Sequence, residues 1–519
     1  MAGLETFLRR YELPLVQDYT FLGTERSVEK PLVRYDGRID LWYDPCQDVP
    51  WVRSAIEAGR FTVELVDGYL PAVRYLYRKP DSEAACEMTA FARDREYPGA
   101  IALLVRLVLR SSTAQQGRPS YPRLRGLPCT AAQFDENLRE CRGHWQRFFR
   151  RCTGMPSSDA LLLRACKASI VRALITFTGR HPHYGIERYA QTCHDGFPPT
   201  ILALADCLIE WGQVELACDY LLYYFDRFVT KTGRFDYYGP SLAEYGQMLS
   251  LVKKLADACL RQSRCEGRAR AAKAGWLEEL RPKLDAICDW IWQEQAGSRT
   301  GLIRGVPEAD TREQVDVYFH NNAWCWRGLR DISGLLERRE AARCEGFRRT
   351  ILTAIETVTD TDTDPPFIPP VARKIEPFQS MTQDSFASYT NYRYWPELLS
   401  SGILSRRQME AIIRYRKTRD GEVGGMTHFA DRADNWPIVE YGTALFRMGK
   451  LNELRTLLFS HLAGHTTPAT WTAYEQVTTT ASGPRRAAAD YCVPVQLAAP
   501  RLLAMLRKLE PGQGGARRR

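Results

Sequence analysis

Residues 198–229 read PPTILALADCLIEWGQVELACDYLLYYFDRFV, and this stretch sets the pattern that most of the chain repeats. In its first half, Leu204 and Leu208 stand at the spacing of an amphipathic helix. In its second half, Leu221 and Phe225 repeat that spacing. The stretch therefore predicts two consecutive helices, each with one apolar side.

The two helices are joined by only Gly212-Gln213, and twelve helix candidates follow one another in this way between residues 158 and 508. Short connections, which make antiparallel neighbours, alternate with mostly long ones. The long loops span 178–197, 230–240, 295–320, 359–384, 417–433 and 464–489. All six should therefore leave the same end of the array. Six hairpins closed into a ring would form an (α/α)6 toroid, although an open twelve-helix solenoid would show the same alternation.

The N-terminal quarter has a different pattern, with short alternating apolar runs separated by turn residues. Phe61 to Val66, for example, is followed by Asp67-Gly68, a turn signal between two strands. We expect an α+β multidomain chain in four segments. These are a β-sandwich (1–125), a linker with its helix (126–155), an (α/α)6 barrel as catalytic domain (156–510) and a disordered basic tail (511–519).

Composition excludes several classes of protein and of site. The chain has 519 residues and a net charge of +9, but Lys and Arg are interspersed with Asp and Glu, so no nucleic-acid partner is expected. No apolar run is long enough for a transmembrane helix or a signal peptide, which predicts a cytoplasmic protein without a membrane partner. The 15 cysteines are expected as buried thiols. No cofactor and no metal is predicted, and the oligomeric state is left open.

The chemistry-bearing residues concentrate in the six long loops and at their edges, which hold six of the eight histidines. Aromatic side chains, carboxylates and amides should therefore meet at one end of the array. Aromatic faces stack on the apolar side of a pyranose, and carboxylates and amides bond to its hydroxyls, so this mixture suits a carbohydrate partner. Any single one of these residues is more often structural, and the prediction depends on the six loops together.

With these features the chain resembles the six-hairpin glycosidase superfamily, which includes glucoamylase-like, trehalase-like, debranching-type and rhamnosidase-like enzymes. Gly301-Leu302-Ile303 followed by acidic residues is similar to the loop that carries the general acid. An acidic residue after a Trp in the last long loop, Trp471 to Glu475, is similar to the general-base position. Gly233 to Glu244 is similar to a sugar-binding loop.

The resemblance implies hydrolysis of a glycosidic bond of an oligosaccharide or glycoside, usually with inversion. It implies Glu308 as general acid, with Asp310 as the alternate because the Trp-Met-Asp of debranching enzymes is missing, and Glu475 as general base. The two carboxyl groups should then lie about 6.5–9.5 Å apart, with water between them. The candidate sugar contacts are Arg188, His194, Asp195, Tyr238, Glu244, His320, Asn322, Asn391, Tyr392, His428, Trp436 and Trp471.

Three other readings stay open at this point. A glycoside phosphorylase needs an anion pocket, for which Arg188, Arg304 or Arg393 are available. A polysaccharide lyase would use histidine and tyrosine for proton abstraction, and residues of both kinds stand in the loops. A carbohydrate-binding protein without turnover would need neither carboxylate for chemistry.

Overall fold

The computed structural model describes residues 3–10, 19–34, 39–41, 44–47, 61–78, 85–95, 101–110, 129–152, 159–186, 194–237, 242–266, 275–308, 314–479, 486–489 and 491–509. The chain divides into two compact units. The first unit comprises Met1–His194, His461–Val477 and Ala481–Pro500, and the second comprises Asp195–Ser460, Thr478–Thr480 and Arg501–Arg519. The four predicted segments stay a prediction, and the tail from 511 lies outside the described residues.

Helices dominate the described part of the chain. In chain order they are α1 (Leu4–Arg10), α2 (Ala131–Arg150), α3 (Ala160–Thr176), α4 (Pro198–Glu210), α5 (Val214–Phe228), α6 (Ala243–Glu266), α7 (Trp276–Gly297), α8 (Phe319–Ser333), α9 (Ala341–Val358), α10 (Ser385–Tyr389), α11 (Trp395–Ser401), α12 (Arg406–Thr418), α13 (Ile438–Arg447), α14 (Leu451–Gly464), α15 (Val493–Gln496) and α16 (Ala498–Leu509). A π-helix, Thr390–Tyr394, joins α10 to α11. In these ranges every helix is too short or too polar to cross a membrane.

The strands are short and form small sheets. They are β1 (Tyr19–Phe21), β2 (Leu32–Arg34), β3 (Ile39–Leu41), β4 (Asp44–Gln47), β5 (Phe61–Leu65), β6 (Ala72–Arg78), β7 (Ala85–Asp94), β8 (Ile101–Arg110), β9 (Glu422–Val423), β10 (Met426–Phe429), β11 (Arg432–Asp434) and β12 (Gln476–Thr478). A helix-rich chain with small sheets is the coarse form of the predicted fold, and that prediction is confirmed.

The first unit holds two antiparallel meanders, β1-β2-β3-β4 and β5-β6-β7-β8. Strands β5 and β6 pair from Phe61 opposite Tyr77 to Leu65 opposite Val73. The chain reverses between them through Val66–Gly68, where Asp67 and Gly68 have φ of 55° and 76°. Asp and Gly are among the few residues that tolerate such backbone angles. The turn predicted at Asp67-Gly68 is therefore confirmed.

In the second unit, helices α4 and α5 form the hairpin expected from residues 198–229. Gly212 adopts a φ of 77°, and the Gln213 amide donates to the Leu208 carbonyl at 2.8 Å, which closes the end of α4. Helix α4 begins with Pro198 and Pro199. Proline has no amide hydrogen, and at this position no hydrogen bond is lost because the first amides of a helix have no partner within it. The two helices pack against each other.

Helices α6 and α8 approach each other through two glycines. A Cβ atom on Gly246 would lie 1.9 Å from the carbonyl oxygen of Trp324, and one on Gly328 would lie 2.5 Å from the carbonyl oxygen of Gly246. Only a residue without a side chain fits at either position. Because α6 carries Glu244 and α8 begins at Phe319 beside His320, this crossing sets the spacing of two predicted site residues.

Two predicted elements differ from the observed ones in the second unit. The sequence pattern predicts a single helix over 385–402. The π-helix Thr390–Tyr394 interrupts that helix, and all five side chains of the π-helix are buried. Such wider turns are frequent at functional sites. The loop expected over 417–433 instead contains β9, β10 and β11, which pair antiparallel in that order. The first segment holds two predicted site residues, Asn391 and Tyr392, and the second holds one, His428.

Candidate active site

The loop expected to carry the general acid is held by three consecutive side chains at the start of α8. His320 Nε2 donates to the Pro307 carbonyl at 2.9 Å, and Asn321 Nδ2 donates to the Val306 carbonyl at 2.8 Å. Asn322 bonds to both backbone polar groups of Ile303. Its Oδ1 accepts from the Ile303 amide at 2.8 Å, and its Nδ2 donates to the Ile303 carbonyl at 3.0 Å. The segment 303–307 is thereby fixed immediately before Glu308.

Glu308 belongs to a buried cluster organised by Arg393 of the π-helix. The guanidinium forms ion pairs with Glu308 at 3.3 Å through Nη1 and with Glu397 at 3.1 Å through Nε. Its Nη2 atom also donates a hydrogen bond to Glu244 Oε1. We call these four residues the arginine cluster. All four side chains are buried, so one cation serves three carboxylates that lie away from water.

The charges of the arginine cluster shift the pKa of its members. Burial raises the pKa of Glu397 well above its usual range, the Arg393 charge opposes this rise, and the neighbouring Glu244, Glu440 and Glu308 carboxylates add to it. Burial lowers the pKa of Arg393, but the three carboxylates outweigh burial and raise it well above its usual value. The cluster therefore favours the protonated form of Glu397.

His320 stays neutral beside this cluster. Burial lowers its pKa to about 3; the hydrogen bond to Pro307 opposes that shift, and the nearby Arg393 charge adds to it. Because a carbonyl can only accept, Nε2 carries the hydrogen and Nδ1 is unprotonated. The ring stacks on Tyr394 with centroids 4.9 Å apart. His320 can thus hold the segment 303–307, which we call the acid loop, without adding a charge to the site.

Aromatic rings adjoin the arginine cluster in the second unit. Trp436 lies with its ring 6.0 Å from the Arg393 guanidinium carbon and stacks on Phe197 at 5.7 Å. The Trp436 amide donates to Asp434 Oδ1 at 2.8 Å, which fixes the end of β11. Tyr392 contacts Phe429 at 5.1 Å. Rings and buried acids therefore meet around one residue of the π-helix.

Glu475, the predicted general base, lies in the first unit and is half-buried. Its Oε2 atom accepts a hydrogen bond from the Tyr184 hydroxyl at 2.5 Å. The ring centroids of Tyr184 and His194 lie 4.9 Å apart, and the Tyr184 carbonyl accepts a hydrogen bond from the Val493 amide at 2.8 Å. A hydrogen bond of this kind orients the carboxylate.

The predicted residues are distributed over both units. The second unit holds Asp195, Glu244, Glu308, His320, Asn322, Asn391, Tyr392, His428 and Trp436. The first unit holds His194, Trp471 and Glu475. Arg188, Tyr238 and Asp310 lie outside the described residues. The structure brings Glu244 and Glu308 together on Arg393, with Trp436 beside them.

Asn391 and His428 hold the small sheet of the second unit together. Asn391 Nδ2 donates to the carbonyls of Gly421 at 2.6 Å and His428 at 2.7 Å, while its Oδ1 accepts from the buried Arg416 at 2.6 Å. His428 Nδ1 donates to the Asp420 carbonyl at 2.9 Å. Their predicted role as sugar contacts stays a prediction, and the structure adds a role in positioning β10.

Sequence reasoning missed four residues of this arrangement. Arg393 was considered only as a phosphate ligand, and Glu397 was overlooked, although the two stand four positions apart, a spacing that brings side chains together on a helix. Asn321 stands between two selected residues. Tyr184 lies in the first long loop, but nothing in the sequence pairs it with position 475, which is 291 residues away.

Arg393→Met is expected to lower the free energy of unfolding by about 3–5 kcal/mol, because three buried carboxylates lose their only cation within the cluster. Urea unfolding at neutral pH measures the loss. The matched control is Arg330→Met on α8, whose partner Asp331 lies near the surface, and there we expect a loss below about 1 kcal/mol. Equal losses in the two variants would contradict the role given to Arg393.

Comparison with known proteins gives the fold. No protein-family model matches the sequence, and no curated protein matches it either. The chain superimposes on a bacterial glucoamylase complexed with acarbose with a TM-score of 0.57 at 10% identity, over 98% of this chain and 95% of that one. A family 76 glycoside hydrolase from a bovine Bacteroides thetaiotaomicron strain is similar with a TM-score of 0.40 at 10% identity, over 86% and 98%. The resemblance predicted from the loops is therefore confirmed for the fold, which the chain shares with bacterial glucoamylase.

Proposed function

We propose that the chain is a glycoside hydrolase, built as a β-sandwich followed by an (α/α)6 toroid of six helical hairpins. The observation that carries this proposal is the shared fold with bacterial glucoamylase over 98% of the chain. Fold alone does not define chemistry, so the residues must supply it. They do so with buried acids, an oriented carboxylate and adjacent aromatic rings. Its location in the cytoplasm stays a prediction.

Glu475 is the proposed general base. In hydrolysis it takes a proton from water while the water oxygen attacks the anomeric carbon and the glycosidic bond breaks. The hydrogen bond from Tyr184 supports this assignment because it holds the carboxylate in one orientation. Inversion follows if the water attacks the face opposite to the leaving group. A separation of about 6.5–9.5 Å between the two carboxyl groups stays a prediction.

The general acid is proposed to be Glu308, with Asp310 as the alternate. A general acid must be protonated before the bond breaks, and it gives that proton to the leaving oxygen. Glu308 lies in the arginine cluster, where it is ion-paired with Arg393 beside Glu244 and Glu397. The loop clamp at residues 320–322 supports a fixed position for this acid.

Hydrolysis is favoured over phosphorolysis by the state of Arg393. Its guanidinium is buried and already serves three carboxylates, so it does not offer a phosphate a free cation. Arg304 is exposed, and Arg188 lies outside the described residues. A phosphorylase also needs no base, whereas Tyr184 holds the carboxylate of Glu475, the proposed base.

A substrate screen tests the proposal. Maltose, maltotriose and aryl glycosides of several sugars, in both anomeric forms, are incubated with the whole chain, and the anomer released first is followed by ¹H NMR. We expect hydrolysis of at least one glycoside with inversion, with α-glucosides tested first because the structural neighbour is a glucoamylase. Sugar release that requires inorganic phosphate would contradict the proposed hydrolysis. Binding of a sugar by calorimetry without any turnover would support the non-catalytic alternative instead.

A further inference from the structure

A cavity of about 710 Å³ lies within the first unit, apart from the arginine cluster. Its walls come from the β5–β6 hairpin, from α3 and from the segment 462–471. Volumes of a few hundred to about 1,000 Å³ are typical of small-molecule sites. The residues that matter for its chemistry are Glu64, Asp67, Arg74, Arg164, Ala469 and Trp471.

The charged side chains of this cavity are paired, with one exception. Arg74 pairs with Glu64 at 3.2 Å, and Asp67 accepts from Arg142 at 2.6 and 3.2 Å. Arg164 lines the same cavity, is exposed, and has no hydrogen-bonding or ion-pairing partner within the part of the chain that the structure describes. The cavity therefore contains one uncommitted guanidinium, which favours an anionic ligand.

Local backbone geometry holds Arg164 in the wall. A Cβ atom on Gly68 would lie 2.7 Å from the Arg164 Cδ atom, so the arginine stem lies directly over the turn that follows β5. Gly68 has a φ of 76°, which is open to glycine without strain. Asp67, the other residue of that turn, is tied down by Arg142. The Arg164 side chain, which comes from α3, thus rests on a turn that is itself held by Arg142.

Another part of the lining is a strained turn. Ala469 and Trp471 have φ of 61° and 54°, which non-glycine residues rarely adopt. The turn is held by the buried Arg172, whose Nε donates to the Thr470 carbonyl at 2.8 Å, and by Gln496, whose Nε2 donates to the Trp471 carbonyl at 2.8 Å. Strain of this kind persists only where the surroundings enforce it, and it is concentrated at functional sites.

From the cavity, the uncommitted guanidinium and the strained turn, we propose that this cavity binds a monosaccharide with one anionic group, a phosphate or a carboxylate. Arg164 pairs with the anion, and the pyranose lies against the wall that contains Trp471. The paired carboxylates of Glu64 and Asp67 keep acceptor oxygens for sugar hydroxyls. This site does not depend on the proposed hydrolysis, and it gives Trp471 a sugar contact in the first unit.

Titration calorimetry on the whole chain tests the site with four probes: glucose 6-phosphate, glucuronate, glucose and inorganic phosphate. We expect glucose 6-phosphate or glucuronate to bind, and glucose and phosphate to bind at least 10-fold more weakly. Arg164→Ala should weaken the bound probe roughly 10- to 100-fold, the effect of losing a charged hydrogen bond. The control is Arg139→Ala, an exposed arginine on α2 outside the cavity, which should leave the affinity unchanged.

Several outcomes would overturn this proposal. One is an absence of heat from all four probes at millimolar concentration; others are equal affinity for phosphate alone and an Arg164→Ala variant that binds like the parent chain. Thermal unfolding of both variants checks that they fold. Any glycoside turnover should be the same in Arg164→Ala and the parent chain, so failure of this site and failure of the proposed hydrolysis are separate results.

Discussion

Glu475→Gln is expected to lower kcat for the hydrolysed glycoside by about 10²–10⁴-fold, the usual contribution of a general base. The amide has nearly the same shape and its oxygen can still accept from the Tyr184 hydroxyl, but it cannot take a proton from water. Substrate affinity, measured by calorimetry, should change little because the side chain keeps its position. Steady-state rates on the best substrate of the screen give the comparison.

The control for this variant is Glu136→Gln, an exposed glutamate on α2, which should leave kcat unchanged. Tyr184→Phe supplies a second comparison, since it removes the hydroxyl that holds the Glu475 carboxylate. We expect kcat to fall by a smaller factor than in Glu475→Gln, because the base is kept but is less firmly oriented. A Glu475→Gln variant that retains full activity would remove Glu475 from the mechanism.

Gly246→Ala is expected to destabilise the second unit by about 3 kcal/mol or more, at or beyond the upper end of overpacking costs. The new methyl group would lie 1.9 Å from the Trp324 carbonyl oxygen and 2.7 Å from the Cys325 amide nitrogen. Both are backbone atoms of α8, so no side chain can move aside. Helices α6 and α8 must separate, which displaces Glu244 from Arg393. Urea unfolding and glycoside turnover should both show the loss.

Gly346→Ala is the matched control, because its added Cβ atom would meet nothing within 4 Å on α9. There alanine is expected to stabilise the helix by about 0.5–1 kcal/mol. The two substitutions make the same chemical change in helices of one unit and should have opposite signs. A Gly246→Ala variant as stable as Gly346→Ala would mean that α6 and α8 do not cross as closely as described.

Local signals predicted the parts of the fold that local chemistry decides. Gly212 closes α4 because glycine adopts a φ of 77°, and the sequence places it between two apolar periods. Asp67-Gly68 turns the chain between β5 and β6 for a related reason. In both cases few residue types adopt the positive φ that the turn requires, so the residue type itself predicts the turn.

The site depends on contacts that no local pattern encodes. Arg393, on the π-helix, contacts Glu244 from 149 residues away in the sequence. His320 and Asn322 were selected as sugar contacts because they are polar residues beside a long loop. Their hydrogen bonds to backbone carbonyls follow only from the three-dimensional path of residues 303–307.

The clamp at the start of α8 limits how this protein can be redesigned. The side chains at 320, 321 and 322 and the backbone at 303, 306 and 307 are matched to each other, so a foreign loop grafted into this segment would lose its anchors unless the helix start came with it. Arg304, which points to solvent between the anchored positions, is the place where sequence can vary freely. Libraries aimed at new substrates should therefore diversify the other long loops and keep positions 303, 306 and 307 together with 320–322.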